Sequence, residues 1–379
     1  MRELSRDEVV AARVRAQQLD RPPGSLPVAE AAVLDLGVQD TGRDGASWAL
    51  ANRGVPVTSP EAMATTEELA LVWTLRGAPH FYRRADLPDV LVATSPFSDA
   101  DAAKRVFGAD APLRAASIGP REGLTAVAAQ LRELVRSPMV KGEVSGGLST
   151  RLPEPYLRGC VPCGARHPWE IPFRVCALYA GLELVPGTSP PVLRPILGWE
   201  CTAVGPAEDP LAAPPRLQVV RAHLRLLGPA VPKDVAAFLD TPVSEVRAHW
   251  PEDAEQVEVQ GRTAWWLPTE DDRAAAGTDP ARLVRLLGPF DLLLQGRDRD
   301  LLVPDPARHK ALWPTLGRPG AVLLGTEVVG TWRPRASGRR LTVTLDPWRP
   351  LTGAVRRLLE EEAERLAAHR GVTLSALEG

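Results

Sequence analysis

Residues 216–267 constrain the fold more tightly than any other part of the chain. Arg216–Leu227 reads as a helix that Gly228-Pro229 breaks, and Pro232–Leu239 and Ser244–Trp250 read as two more. Proline cannot continue a helix because it lacks the N–H and clashes with the preceding turn. The stretch VEVQGRTAWWL (Val257–Leu267) then alternates apolar and polar residues on either side of Gln260-Gly261. That is the pattern of two antiparallel strands joined by a tight turn.

A weaker version of the same order opens the chain. Ser5 stands three residues before Glu8, the capping-box spacing, and a helix is expected over Ser5–Leu19. A second is expected over Val28–Val38 and a third over Ala46–Arg53, followed by the β-prone run Leu69–Leu75 and then His80-Phe81-Tyr82. Helix, helix-turn-helix, strand pair is the order of a winged-helix module. Between these two units, Leu124–Val135 is amphipathic, Phe173–Gly181 is a further helix, and Leu182–Leu184 and Val192–Leu197 are β-prone. Gly205–Pro215 reads as a linker. From Leu283 onward strands are expected at Leu292–Leu294, Leu301–Val303, Ala321–Leu324, Val328–Arg333 and Leu341–Leu345, with a closing helix over Thr352–Arg370. The expected units are therefore 1–115, 116–205, 216–270 and 280–379, in an α+β chain.

Bulk composition narrows the function less. The 379 residues are 44% hydrophobic and 24% charged with a net charge of −2, so any basic face must be local and balanced by acid elsewhere. Lys104, Lys141, Lys233 and Lys310 are the only lysines; the remaining cations are arginine. Arginine suits bidentate phosphate contacts, and a GC-rich genome imposes the same bias. Four cysteines in a chain this long do not form a disulfide framework, and no apolar run reaches the roughly 18–20 residues that span a bilayer. A cytoplasmic monomer is expected.

Several stretches together resemble one family. GPAVPKDVAAFLDTPVSEVRAHW (Gly228–Trp250), LLGPFDLLLQGRDRDLLVPD (Leu286–Asp305), VVGTWR (Val328–Arg333) and RGAPH (Arg76–His80) look like signatures of the winged-helix AlkZ/YcaQ DNA glycosylases, and they run in order over nearly the whole chain. The resemblance implies three tandem winged-helix motifs in a C-shaped arrangement, with a β-rich C-terminal section and closing helix. It also implies hydrolysis of the N-glycosidic bond of alkylated purines in double-stranded DNA, in some members as self-resistance to a genotoxic natural product. The family's catalytic motif is Gln, an apolar residue, then Gln, or Asp in the YcaQ-like group. Here that position reads Gly37-Val38-Gln39, followed by Asp40, so glycine stands where the first glutamine is expected.

Gln39 and Asp40 are thus the expected catalytic pair, at what reads as a helix end. An N7-alkylated guanine already carries positive charge and leaves without a general acid, so a site need only place water at C1′ and stabilise an oxocarbenium-like sugar. A lyase mechanism needs an amine nucleophile, which four scattered lysines do not suggest. The expected DNA contacts are Arg43, Arg76, Arg83 and Arg84, with His80 beside them as a cleft residue whose alternative is ordinary packing. The hairpin Thr331–Thr344, carrying Arg333, Arg335, Arg339 and Arg340, is expected to enter a minor groove, its alternative being a solvated edge. Arg247 and His249 are expected to contact phosphate at most. Trp48, Trp73, Trp265 and Trp266 are expected in the core, with stacking on an adduct as the alternative.

Cys160, Cys163 and His167 form C-x₂-C-x₃-H, which looks like part of a zinc site. The only nearby cysteine for a fourth position is Cys176. The reading adopted is a turn with reduced, buried thiols, and no metal or cofactor is expected. Two other functions stay open on the sequence: a DNA-binding regulator or adduct sensor without chemistry, and a protein that sequesters the free genotoxin.

Overall fold

Ser5 caps the first helix, Arg6–Ala16: its hydroxyl accepts from the Glu8 N–H while the Glu8 carboxylate accepts from the Ser5 N–H. The computed structural model describes residues 1–268 and 283–379, so the expected boundary between 270 and 280 lies outside the described residues. The fold is mixed α+β, with sheets of six, five, three and two strands among the described residues.

The third unit follows its sequence pattern closely. Helices Val219–Leu227, Pro232–Leu239 and Val243–Ala248 precede strands Glu255–Val259 and Arg262–Trp266. Gln260 and Gly261 both take positive φ (50° and 74°), as a two-residue turn with the twist of a hairpin requires. The N-terminal strand Arg2–Leu4 adds to this hairpin in parallel, a pairing between segments far apart in the chain that no local pattern announces.

The first two units do not form separate cores. Strands run in the order Val38–Gln39, Pro79–Arg83, Leu69–Trp73, Leu182–Leu184, Val192–Pro195 and Met139–Val140 across one six-stranded sheet. One hydrophobic cluster runs from Leu26 through Leu131, Phe173 and Leu193 to Val246, so the sequence boundaries at 115 and 205 do not divide the core.

Three expected elements are different. Val28–Val38 is not a helix but two 3₁₀ turns, Val28–Glu30 and Ala32–Asp35, leading into the strand Val38–Gln39. Gly37 at φ +85° ends the turn, and the β-branched Val38 pairs with Phe81. Leu292–Leu294 lies in a 3₁₀ turn whose first N–H groups are capped by Asp291, and Leu301–Val303 falls in the short helix Arg299–Leu302. Both apolar runs are buried irrespective of backbone shape, which is why strand and short helix look alike in sequence.

The C-terminal section is a five-stranded sheet in chain order, Val284–Leu287, Gly320–Leu324, Glu327–Ser337, Arg340–Pro347 and Thr373–Glu378, packed against the helix Gly353–His369. Among the described residues no helix is long and apolar enough to cross a membrane.

This section grips the corner that follows Gln39. Trp48, on the helix Gly45–Ala51, is buried in the C-terminal core and donates its indole N–H to the Leu286 carbonyl at 2.6 Å. Arg53 makes a two-pronged pair with Asp291 at 2.8 Å on both arms, with both side chains at most 1% exposed, and also donates to Gln17. Arg370 pairs with Asp44 at 2.6 Å. Three elements distant in sequence therefore hold one loop.

Candidate functional site: two faces of a sheet edge

Gln39 stands on the edge strand of the six-stranded sheet, opposite His80. The Asp40 N–H donates to the Pro79 carbonyl at 2.9 Å, so the ladder continues one residue past the strand. Successive side chains on a strand point to opposite faces. Gln39 therefore shares its face with His80 and Tyr82, whereas Asp40 shares the other with Pro79 and Phe81. The expectation that both reach one site from a helix end is corrected: the corner is a strand, and the pleat separates them.

On the Gln39 face the residues behind the strand are polar, buried and neutral. The Tyr82 hydroxyl donates to the Leu36 carbonyl at 3.2 Å and lies 3.0 Å from the Thr74 hydroxyl. His80 Nδ1 is 2.9 Å from the Ala78 carbonyl and 3.1 Å from Thr74 Oγ1. A carbonyl only accepts, so Nδ1 carries the proton. Burial and the neighbouring Arg76 guanidinium push His80 down to about 3, and it is a neutral imidazole at physiological pH. Burial also raises the Tyr82 phenol above its ordinary range. Gln39 Nε2 donates to Thr41 Oγ1 at 3.0 Å, which leaves its amide oxygen to accept from a water.

Gly37 faces the same way, and its conformation is forced. A Cβ there would stand 2.4 Å from Tyr82 Cζ, and φ is +85°. A glutamine cannot occupy position 37 while the Tyr82 ring lies against it.

Arg76 lies close enough to His80 to act on it, and further arginines lie near Arg76. Arg76, itself at φ +57°, donates to the Phe238 carbonyl and to Gln295 Oε1 (2.9 Å), and its guanidinium lies over the Phe238 ring. Burial, then the charge of Arg297, lowers Arg76 to about 10. Burial and then the charge of Arg299 lower both Arg297 and Arg318. Arg299 lies over Trp313 and Arg318 over Phe290. These three arginines were missed in the sequence reading, although the charge run Gly296–Asp300 (GRDRD) sits inside a stretch recognised for other reasons.

The Asp40 face opens on a cleft of about 530 Å³ lined by Leu71, Trp73, Phe81, Met63 and the loop 184–191. Arg43 and Glu61 stand at it, 3.6 Å apart and both exposed. Desolvation raises Asp40 to about 6, with the nearby Asp44 charge adding to the rise and the Ala46 N–H, 3.4 Å away, opposing it.

Several expected DNA contacts are committed within the protein. His80 is 2% exposed and cannot reach a phosphate. Arg83 is held by the carbonyls of Ala29 and Ala31 and by Asp35 and Asp86. Arg84 is held by Glu183 at 2.8 Å and by the carbonyls of Glu67 and Leu69. Arg76 joins the first unit to the third as described. These four are ties inside the fold, a role invisible in sequence because every partner except Asp86 and Thr74 is distant or a backbone carbonyl. Arg43, Arg333, Arg335, Arg339 and Arg340 are exposed. The last four lie at the outer end of the hairpin of Glu327–Ser337 and Arg340–Pro347, with Arg333 donating to the Gly317 carbonyl. Arg247 is exposed, whereas His249 stacks on Phe97 with centroids 4.4 Å apart. Trp48, Trp73 and Trp266 are buried as expected, and Trp73 also lines the cleft. Cys160, Cys163 and His167 come together, but Cys176 is buried elsewhere, 3.2 Å from the Leu124 carbonyl.

Comparison with known proteins identifies the lineage. The model of the AlkZ-like DNA glycosylase family matches residues 33–369. The chain belongs to that family. The solved structure of Streptomyces sahachiroi DNA glycosylase AlkZ superposes with a TM-score of 0.73 at 20% identity, covering 99% of this chain and 100% of that one. At that identity the likeness is one of fold. No curated protein matches.

Proposed function

We propose that this family member is a monofunctional glycosylase for cationic N7-alkylpurines, bulky adducts or cross-links in double-stranded DNA, with Gln39 orienting the water. The fold would be three winged-helix units in a C-shaped arrangement, and the biological role self-resistance to a DNA-alkylating natural product. The observation that carries the reading is that Gln39 pairs with His80, on which the Arg76 charge acts, and that Arg297 and Arg318 act in turn on Arg76, whereas the charge acting on Asp40 is that of Asp44. A positively charged flank holds phosphates, and phosphate contacts set the position of the duplex. The Gln39 amide oxygen then accepts a hydrogen bond from water, whose oxygen attacks C1′ and whose proton passes to solvent. The C1′–N9 bond breaks with its electron pair going to the purine, which loses its formal charge. The leaving group needs no proton, which agrees with a neutral His80 opposite Gln39. Asp40 serves the loop instead, near the start of the helix Gly45–Ala51.

The test is base release from an N7-methylguanine duplex. Release above background that falls in Gln39→Ala supports the reading; no release, or equal release by the variant, sinks it. Gly37 favours the rival reading, a DNA-binding protein without chemistry, because Tyr82 fills the place of the motif's first side chain. A protein of that kind binds one sequence tightly whether or not it is alkylated.

A further inference from the structure

The strands Leu157–Cys160 and Ala165–Pro168 form a two-stranded hairpin apart from the other sheets. Little apolar burial holds its tip: Val161 is 95% exposed, and residues 161–166 are exposed throughout. Isolated two-stranded hairpins are marginal in water. This one nevertheless gathers three metal-ligand side chains, with Sγ of Cys160, Sγ of Cys163 and a ring nitrogen of His167 all within 4.8 Å of one another.

The register explains the gathering. Cys160 pairs with Ala165, and Arg158 with His167, so Cys160 and His167 lie on one face of the ladder as diagonal neighbours. Cys163 returns to them through the turn, where Gly164 follows at φ +60° with open space around it. A tetrahedral zinc with Zn–S of about 2.3 Å and Zn–N of about 2.0 Å separates its ligand atoms by about 3.5–3.8 Å. From 4.8 Å, small side-chain rotations on an exposed turn close the difference.

We propose that Cys160, Cys163 and His167 bind one zinc ion as two thiolates and an imidazole nitrogen, with a water oxygen in the fourth position. The ion cross-links the turn that the core leaves unsupported. Binding displaces the two thiol protons to solvent, and two thiolates balance the charge of the ion. The remaining cysteines are not candidates: Cys176 is buried against the Leu124 carbonyl, and Cys201 lies 3.8 Å from the Ala203 carbonyl. Once clipped, the hairpin rests on the helix Lys141–Arg151 through the Ser149 hydroxyl, which donates to the Arg166 carbonyl at 2.9 Å.

The test measures metal on the full chain, purified with a reductant from zinc-supplemented cells and desalted. Elemental analysis is expected to find close to one zinc per chain, falling at least about fivefold in Cys163→Ser and in His167→Asn. Cobalt substitution is expected to produce thiolate-to-metal charge-transfer absorption that both variants weaken. Circular dichroism and melting confirm that the variants fold; Cys163 is exposed, so the serine leaves the core untouched. The proposal is overturned by wild-type protein without bound metal, by zinc content equal in wild type and variants, or by a Cys160–Cys163 disulfide that forms as readily with zinc as without it.

Discussion

The two faces of the sheet at Gln39 and Asp40 are built from adjacent residues, yet they offer opposite chemistry. One is neutral and hydrogen-bonded through Thr74, His80 and Tyr82, with a cluster of arginines beyond it. The other is an apolar cleft with a desolvated carboxylate in it. Two polar residues side by side in sequence need not share a task, because the strand pleat turns them apart. Chain proximity alone does not bring the two side chains to one side of the sheet.

The comparison breaks first at Gln39. Replacing it with alanine is expected to reduce base excision by about 10²-fold while leaving the denaturation midpoint in place, because the side chain is half-exposed and bonded only to Thr41. An equal loss in Asp40→Asn would place the chemistry on the other face.

Gly37→Ala tests the crowded side. Its φ of +85° and the Tyr82 ring are expected to cost about 1–3 kcal/mol in urea unfolding. Gly37→Ala in a Tyr82→Ala background should show a smaller increment, since only the backbone penalty remains.

Asp40 provides a pH test. Its folded pKa, about 6, lies above the ordinary 3.8, so the protonated form is the one the fold favours. That contribution is full below pH 3.8 and is lost as pH rises through 6. Asp40→Asn should therefore be more stable than wild type above pH 6 by about 3 kcal/mol, with the difference vanishing toward pH 4. Urea midpoints across that window decide it, and a variant less stable at pH 7.5 would show that the carboxylate is held by partners instead.

The smallest effect concerns the hairpin. Arg335, Arg339 and Arg340 are exposed, and changing each to alanine should lower the salt slope of DNA binding by about 0.9 per lost phosphate contact. The loss should be equal on alkylated and plain duplex, whereas Arg297→Ala and Arg318→Ala should weaken the alkylated duplex more. Equal effects from both sets would erase the distinction between a general grip and the reacting face.

Much of the fold was legible because its signals are local. The Ser5–Glu8 capping box, the Gln260-Gly261 turn and the closing helix Gly353–His369 each rest on contacts a few residues apart. The candidate site around Gln39 was legible as a motif, but its backbone was not: Val28–Val38 has helical apolar spacing, and only pairing of Val38 with Phe81 makes its end a strand. Arg83 and Arg84 looked like surface cations for the same reason, their carbonyl and carboxylate partners being set by packing.

By itself the sequence determined the family, the helix-and-hairpin order of residues 216–267 and the presence of Gln39 two residues after a glycine. Tertiary structure decided which face Gln39 occupies, that Tyr82 rather than a second amide lies against Gly37, and which arginines remain exposed. The physical reason is one of range. Caps and turns are settled by neighbouring residues, but the face of a strand and the partner of a guanidinium depend on register and burial between segments far apart in the chain.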